Sequence, residues 1–270
     1  MDGSGRARII VPGEASATQL LKVVPDESAL IHREGDQATL LVSDLHLGLE
    51  KEMASKGFRL PPYSQKMLDR MNSMAEKNRL NRVIVVGDVK HSIGKVQDVD
   101  WGIIPWFFGT LLDIFGAVEV VPGNHDGLIK TLLPSRVKLH TAEGTVIGTR
   151  AKVGVAHGHS WPSQEVIASR TIVMGHSHFR YEMRDKFGGR SKEAVWLFAP
   201  YDVADMLVKA GHPPVKRGEG KLIVMPPFNN LVGGHAINSK GGFDFGPILS
   251  SGSISVTDSD VFLLDGTRVS

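Results

Sequence analysis

RVIVVGDVKH, residues 82–91, is a run of β-branched apolar residues that stops at a glycine and then turns polar. An apolar run this short, bounded by a turn residue, predicts a strand buried on both faces, with its polar tip at the carboxyl end. The same arrangement recurs four times. TLLVS (39–43) runs into Asp44-Leu45-His46, and AVEVV (117–121) runs through Pro122 into Gly123-Asn124-His125-Asp126. KVGVA (152–156) runs into His157-Gly158-His159, and TIVM (171–174) into Gly175-His176-Ser177-His178. Residues 62–80 set Met67, Met71, Met74 and Ala75 at helical spacing behind Pro61 and Pro62, and residues 103–115 read as a second helix. Residues 194–198 and 221–225 continue the strand pattern. Helices alternating with β-branched runs predict a layered α/β fold. In open sheets of that class, ligands gather at the carboxyl ends of the strands.

The rest of the chain sets limits. Its 270 residues suffice for one large domain or two small ones, and its formal net charge is +2. So small a charge does not by itself advertise nucleic acid or an acidic membrane surface. The absence of cysteine excludes disulfides, thiolate-held zinc, iron–sulfur clusters and a cysteine nucleophile. The opening MDGSGRARIIVPGEAS lacks the apolar core of a signal peptide. The most apolar stretch, 103–122, carries Asp113 and Glu119 and is broken by Pro105, Gly109 and Gly116, so it does not read as a membrane span. A soluble cytoplasmic protein with no membrane partner is expected. No repeat or linker is visible, so residues 1–270 read as a single domain with its chemistry in 44–178 and an appended segment, 226–270. Within that segment 226–259, rich in Gly, Asn and Ser, reads as loop, and VFLLDGTRV (261–269) as a terminal strand or hairpin.

Seven of the eleven histidines lie in the five polar tips: His46, His91, His125, His157, His159, His176 and His178. Imidazole, carboxylate and amide donors suit Mn, Fe, Zn or Ni better than a metal that prefers thiolate. One residue separates Asp44 from His46, and one separates His176 from His178. On extended backbone each pair shares a face, whereas a turn lets a pair straddle two ions. Gly87, Gly123 and Gly175, just before Asp88, His125 and His176, allow sharp turns there. Taken singly these signals are weak, because a lone histidine is more often a satisfied core or surface residue. Five of them, each behind an apolar strand, point to a metal site.

The ordered set Asp44-x-His46, Gly87-Asp88, Gly123-Asn124-His125-Asp126, His157-Gly158-His159 and Gly175-His176-x-His178 resembles the calcineurin-like metallophosphoesterases. The resemblance spans about residues 39–180. It implies a four-layer αββα sandwich of two mixed sheets flanked by helices, with two divalent metal ions between the sheets. Mn2+ is the first choice, with Fe, Zn or Ni as alternatives. By resemblance, Asp44, His46, Asp88 and His178 hold one ion, and Asp88 bridges to a second completed by Asn124, His157 and His176. His125 is implied to lie beside the ions without ligating. Members that cleave phosphoproteins carry Asp-Arg-Gly after the Gly-Asp motif, where this chain has Val89-Lys90-His91. The wording SDLHLG (43–48), GDVKH (87–91), PPFN (226–229) and LLDGT (263–267) is similar to a small branch related to the SbcD nuclease. That branch includes the ligase-associated DNA-damage-response endonuclease, so the wording points to DNA repair.

The expected reaction is therefore hydrolysis of a phosphodiester through a metal-bridging hydroxide, with DNA or RNA as the substrate and no protein nucleophile. His125 is the candidate general acid, and Asp126 either orients its ring or makes a turn. His91 and His159 are candidates for partners of the ligands or for substrate contacts. Lys90 either faces a phosphate or is a solvated lysine. Residues 179–221 hold nine Lys/Arg against six Asp/Glu, less than the basic stripe of a nucleic-acid groove. Trp161, Phe179 and Tyr181 either stack on bases or pack internally. Two other readings stay open: a phosphoesterase for nucleotides or other small phosphate esters, and a non-catalytic binding module on the same fold. The presence of every inferred ligand disfavours the latter.

Overall fold

The computed structural model of the chain describes residues 20–58, 60–61, 63–216, 218–239, 245–256 and 258–270. The opening stretch read for a signal peptide lies outside the described residues, as does Pro62, read as a helix start. Among the described residues the apolar runs assemble into two sheets. The first contains β1 (Leu21–Val23), β2 (Ala29–Glu34), β3 (Gln37–Ser43), β4 (Arg82–Val86), β5 (Ala117–Val121) and β6 (Lys138–Leu139), side by side in that order. Strands β3 to β6 are parallel, while β1 and β2 add an antiparallel hairpin at one edge. The second sheet contains β7 (Thr145–Ile147), β8 (Val153–Val155), β9 (Thr171–Met174), β10 (Phe179–Arg184), β11 (Arg190–Asp202), β12 (Glu219–Val224) and β13 (His235–Ala236). Their order is β13-β10-β11-β12-β9-β8-β7, and β14 (Asp260–Leu263) pairs with part of β11. Three helices, α1 (Leu49–Ser55), α2 (Tyr63–Asn78) and α3 (Asp98–Phe115), belong to the first half of the chain. Three more, α4 (Gln164–Ala168), α5 (Val203–Lys209) and α6 (Gly246–Ser250), belong to the second.

Period-2 alternation decides how these layers stack. Leu40 and Val42 of β3 pack with Met67 and Met71 of α2 and with Phe107, Phe108 and Leu111 of α3. Leu41, between them, points the other way and joins Ile84 and Val86 in a core shared with Val155, Val173, Trp196 and Ile223 of the second sheet. On the far side Ile172, Met174, Leu222 and Val224 pack beneath Val166, Met206, Leu207 and Ile248. The layers run helix, sheet, sheet, helix, the sandwich of two mixed sheets flanked by helices that the motifs predict. Each large apolar side chain buried in these cores stabilises the fold by about 1.5–3 kcal/mol, so the strand ends form a rigid platform.

The structure differs from the sequence reading in several places. Helix α3 begins at Asp98, five residues before the expected 103. A reciprocal cap explains the early start: Gln97 receives an N–H bond from Asp100, and its own N–H donates to Asp100 Oδ2 at 2.8 Å. The hairpin β1–β2 and strand β10 are additional to the expected elements. Helix α6 and the short β13 fall within 226–259, which reads as loop. The C-terminal run is a hairpin: β14 turns at Asp265-Gly266, and Val269 N–H returns to Val261 O at 2.9 Å. No helix among the described residues is long and apolar enough to cross a membrane.

Candidate metal centre

The five polar tips meet where the parallel strands of both sheets end. Asp44, His46, Asp88 and His178 bring one donor atom each within 4.8 Å of one another, and so do Asp88, His157 and His176. Asp88 belongs to both groups. In the first group His178 Nε2 lies 3.2 Å from Asp44 Oδ1 and 3.4 Å from His46 Nε2, which is 3.7 Å from Asp88 Oδ2. In the second, His157 Nε2 lies 3.4 Å from Asp88 Oδ1 and 3.3 Å from Asn124 Oδ1, so Asn124 stands with this group.

The backbone at the donors is unusual. Asp44, His46, Asp88, His176 and His178 have φ of 55°, 42°, 45°, 70° and 46°, all in the left-handed region. For residues with a Cβ this costs on the order of 1–3 kcal/mol each and persists only where the surroundings over-determine it. The sharp turn expected at Gly87 is present, at φ 74°, and Asp88 extends it, whereas the turns expected at Gly123 and Gly175 are not left-handed at the glycines. His176 and His178 straddle the two groups, whereas Asp44 and His46 serve the same one. All three glycines also permit close approach. A Cβ on Gly123 would lie 2.2 Å from Asp88 Oδ1, one on Gly175 2.5 Å from Asp44 Oδ2, and one on Gly87 1.9 Å from His157 Nδ1.

Electrostatics follow from this crowding. Burial works against ionisation of Asp44 and Asp88, but His178 beside the one and His157 beside the other outweigh it and hold both below the usual carboxylate range. Burial alone would hold the His157 ring down; the Asp88 and Asp44 carboxylates prevail and push it up to about 9. His46 and His176 are lowered to about 3 and about 4, chiefly by burial, so each ring is neutral at neutral pH and keeps one nitrogen with a free lone pair. His157 Nδ1 lies 3.2 Å from Val86 O, an acceptor that leaves Nε2 as the atom that could ligate a metal. Ring nitrogens facing each other beside buried carboxylates require a proton or a cation between them. The donor set, nitrogen and oxygen without sulfur, fits borderline divalent cations.

Among solved structures, the crystal structure of Pseudomonas putida nuclease MPE matches 98% of this chain with 100% of its own, at a TM-score of 0.53 and 16% identity. The two chains share a fold. Yfce, a phosphoesterase from E. coli, matches 58% of this chain with 76% of its own, at a TM-score of 0.34 and 15% identity. No family model and no curated protein matches the sequence.

The remaining expected residues surround the donors in different ways. His125 Nδ1 lies 2.6 Å from His91 O, and its Nε2 lies 3.8 Å from Asp88 Oδ2. Asp126 does not touch that ring. Its Oδ1 accepts from Val89 N–H and Lys90 N–H at 2.9 and 3.2 Å, and its Oδ2 from Gly123 N–H at 2.8 Å. It therefore ties the loop after β4 to the loop after β5, and the His91 carbonyl orients His125 in its place. Burial pushes the Asp126 carboxyl up to about 7 in spite of these bonds. His91 Nε2 lies 2.7 Å from Glu52 Oε2 and its Nδ1 3.4 Å from His46 Nδ1. Glu52, on α1, carried no sequence signal, since its partner is 39 residues away. His159 stands beside the second group, its ring 5.3 Å from that of His157, with a buried Nδ1 that lacks a partner. Lys90 is neither solvated nor phosphate-facing: it is fully buried, and its ammonium donates to Ser92 O. Phe179 is buried against Phe245, while Trp161 and Tyr181 pack on the second sheet's outer core, so these aromatics serve packing.

Proposed function

We propose that this chain is a dinuclear metal-dependent phosphodiesterase acting on nucleic acid. The observation that carries the reading is the sharing of one buried carboxylate, Asp88, by two donor groups. Asp44, His46, Asp88 and His178 would hold one divalent ion, and Asp88, Asn124, His157 and His176 the other, with Mn2+ the first ion to test. When bound, such a pair supplies Lewis acidity at phosphorus and a water of lowered pKa. His125 would donate the proton to the leaving oxygen. Its Nδ1 faces the His91 carbonyl, so Nε2 is the nitrogen that meets substrate, and donation from it requires the imidazolium form. Glu52 and Asp126 would act as positioning residues, Glu52 by holding His91 and Asp126 by fixing the spacing of the two loops. A nucleic-acid substrate is supported by the motif wording and by a fold shared with a protein described as a nuclease.

The test combines metal analysis with a substrate panel. The purified chain, reconstituted with Mn2+, is assayed on bis(4-nitrophenyl) phosphate, 4-nitrophenyl phosphate, and labelled single- and double-stranded DNA and RNA. Two ions per chain, a preference for the diester and cleavage of an oligonucleotide are expected. Fewer than two ions, or turnover confined to the monoester, overturns the reading.

A further inference from the structure

Strand β10 and the first half of β11 form a hairpin that runs past the metal centre. Met174, Val224 and Leu197 are neighbours across the second sheet, and they mark the edge from which His176 and His178 follow. Beyond that edge β11 continues back to Arg190, paired with β10 as far as Arg184. Seven residues at strand rise reach about 20 Å. Every residue from 183 to 193 is exposed, so this is regular ladder with no buried face. The hairpin begins directly at His178. Its base is fastened by Asn238, which accepts from Glu182 N–H at 2.8 Å and donates to Glu182 O at 3.0 Å.

The tip is a built turn. Asp185 Oδ1 accepts from Phe187 N–H and Gly189 N–H, both at 2.8 Å, and Gly188 takes the left-handed conformation, φ 85°. This turn holds Phe187 out at 85% exposure, with Lys186 Nζ 5.1 Å from the ring centre. A single exposed apolar side chain is ordinary on a protein surface. Here it sits on a braced tip among cations. Of the hairpin's three acids, Asp185 is engaged in the turn, Glu182 pairs with Arg184 and Arg190, and Glu193 lies opposite Tyr181 toward the base. Lys186 and Lys192 form no ion pair among the described residues, although Lys192 stands opposite Glu182 in the ladder.

We propose that this hairpin is a nucleic-acid-binding arm: Lys186 and Lys192 contact phosphates of the strand whose diester lies at the metal centre, and Phe187 stacks on one of its bases. The inference rests on the nuclease reading above and deepens it, because an arm of about 20 Å matches about six steps of a strand at 3.4 Å and not a mononucleotide. Cations interleaved with an aromatic suit a strand, which offers charge and π-faces in alternation.

The test uses the full chain with Mn2+ and two variants that leave the turn intact, Phe187→Ser and Lys186→Ser/Lys192→Ser. Each is assayed on a labelled single-stranded oligonucleotide and on bis(4-nitrophenyl) phosphate, and binding of the oligonucleotide is measured in EDTA. Each variant should lose about tenfold in kcat/KM on the oligonucleotide while turnover of the small diester stays within about twofold. The lysine variant should also flatten the log–log salt dependence of binding by about 1.4. A wild-type chain that turns over the small diester but neither binds nor cuts the oligonucleotide defeats the nuclease reading itself. A wild-type chain that cuts it, with variants that cut it equally well, defeats the arm alone. Equal losses on both substrates make the hairpin structural and defeat the arm. A changed oligomeric state with unchanged oligonucleotide cleavage defeats it too, and assigns Phe187 to contact between copies.

Discussion

Gly123→Ala adds one methyl group to the loop after β5. The backbone there is outside the left-handed region, so alanine adopts it without strain. The new Cβ would lie 2.2 Å from Asp88 Oδ1 and 2.4 Å from Asp88 N. Carbon contacts are comfortable only from about 3.5 Å, so the two groups must separate by about 1 Å. The Asp88 backbone cannot yield easily, because Gly87 N–H donates to Val121 O at 2.7 Å and His46 N–H to Asp88 O at 2.8 Å. The carboxylate, which also accepts from His125 N–H at 3.0 Å, must give way, and the loop carrying Gly123 and His125 must back off the Asp88 backbone. Since both donor groups share it, both ions should weaken together, and His125 should shift with them. Misplacement of about 1 Å in a catalytic assembly costs on the order of 100-fold in rate. The variant should therefore lose bound Mn2+, measured by mass spectrometry of the dialysed protein, and at least about 100-fold in turnover of bis(4-nitrophenyl) phosphate. Gly102→Ala, on α3 where nothing lies within 4 Å, is the control and should keep both. A Gly123→Ala protein with full metal content and near wild-type turnover would refute the claim that Asp88 is clamped where two ions share it.

Other perturbations separate the remaining roles. His125→Ala should retain both ions and lose most turnover, whereas Asp88→Asn should lose both; a fully active His125→Ala enzyme removes His125 as the acid. Asp126→Ala leaves three backbone N–H groups without their acceptor and should destabilise the chain by about 2 kcal/mol or more in urea unfolding; unchanged stability contradicts the bracing role. At Glu119, burial opposes ionisation, but the bond from His140 and the Arg82 and Lys138 charges outweigh it and bring the carboxyl down to about 2. Its folded value lies below its unfolded value, so its contribution of about 3 kcal/mol is complete above about pH 5 and fades as pH falls toward 2. Glu119→Gln should flatten the acid limb of the stability–pH curve of the metal-free chain, and an unaltered limb would show that the cluster contributes nothing.

The strand ends and their donors were legible because two strong patterns coincide there: an apolar run buried on both faces, and a polar tip that has no place in a core. What the donors do with the backbone was not legible. Asp and His are enriched several-fold at positive φ, but too weakly for five such positions to be read from a sequence, and of the three glycines expected to turn the chain Gly87 does so while all three make room. The start of α3 was missed because glutamine is an uncommon cap, and the pairing of Gln97 with Asp100 is visible only in three dimensions. The hairpin arm was missed for the opposite reason: residues 183–193 bury no face, so no period-2 pattern survives. Lys90 misled because a lysine after a strand ordinarily reaches water, whereas here the loop folds over it.

The strain at the donors has a structural logic. Each donor group draws on both sheets: Asp44, His46 and Asp88 follow β3 and β4, while His157, His176 and His178 follow β8 and β9. The apolar core between the sheets is non-directional, so it sets their separation but resists sliding only weakly. Directional bonds at the metal end supply what the core lacks. His176 N–H donates to the Asp44 carboxylate at 3.2 Å, and His157 Nδ1 meets Val86 O. The segment after β12 crosses to the first sheet, where Phe228 N–H donates to Ser43 O at 2.8 Å and the buried Asn229 side chain donates to Leu45 O at 2.8 Å. Phe228 is itself buried in the core beneath α2 and α3, under the Arg70 guanidinium 4.0 Å above its ring. PPFN thus grips the backbone on both sides of Asp44, which accounts for this short run as a brace on a left-handed residue. The left-handed donors are tolerable because bonds from the opposite sheet hold them there, and those same bonds fix the register in which the two halves of the site meet.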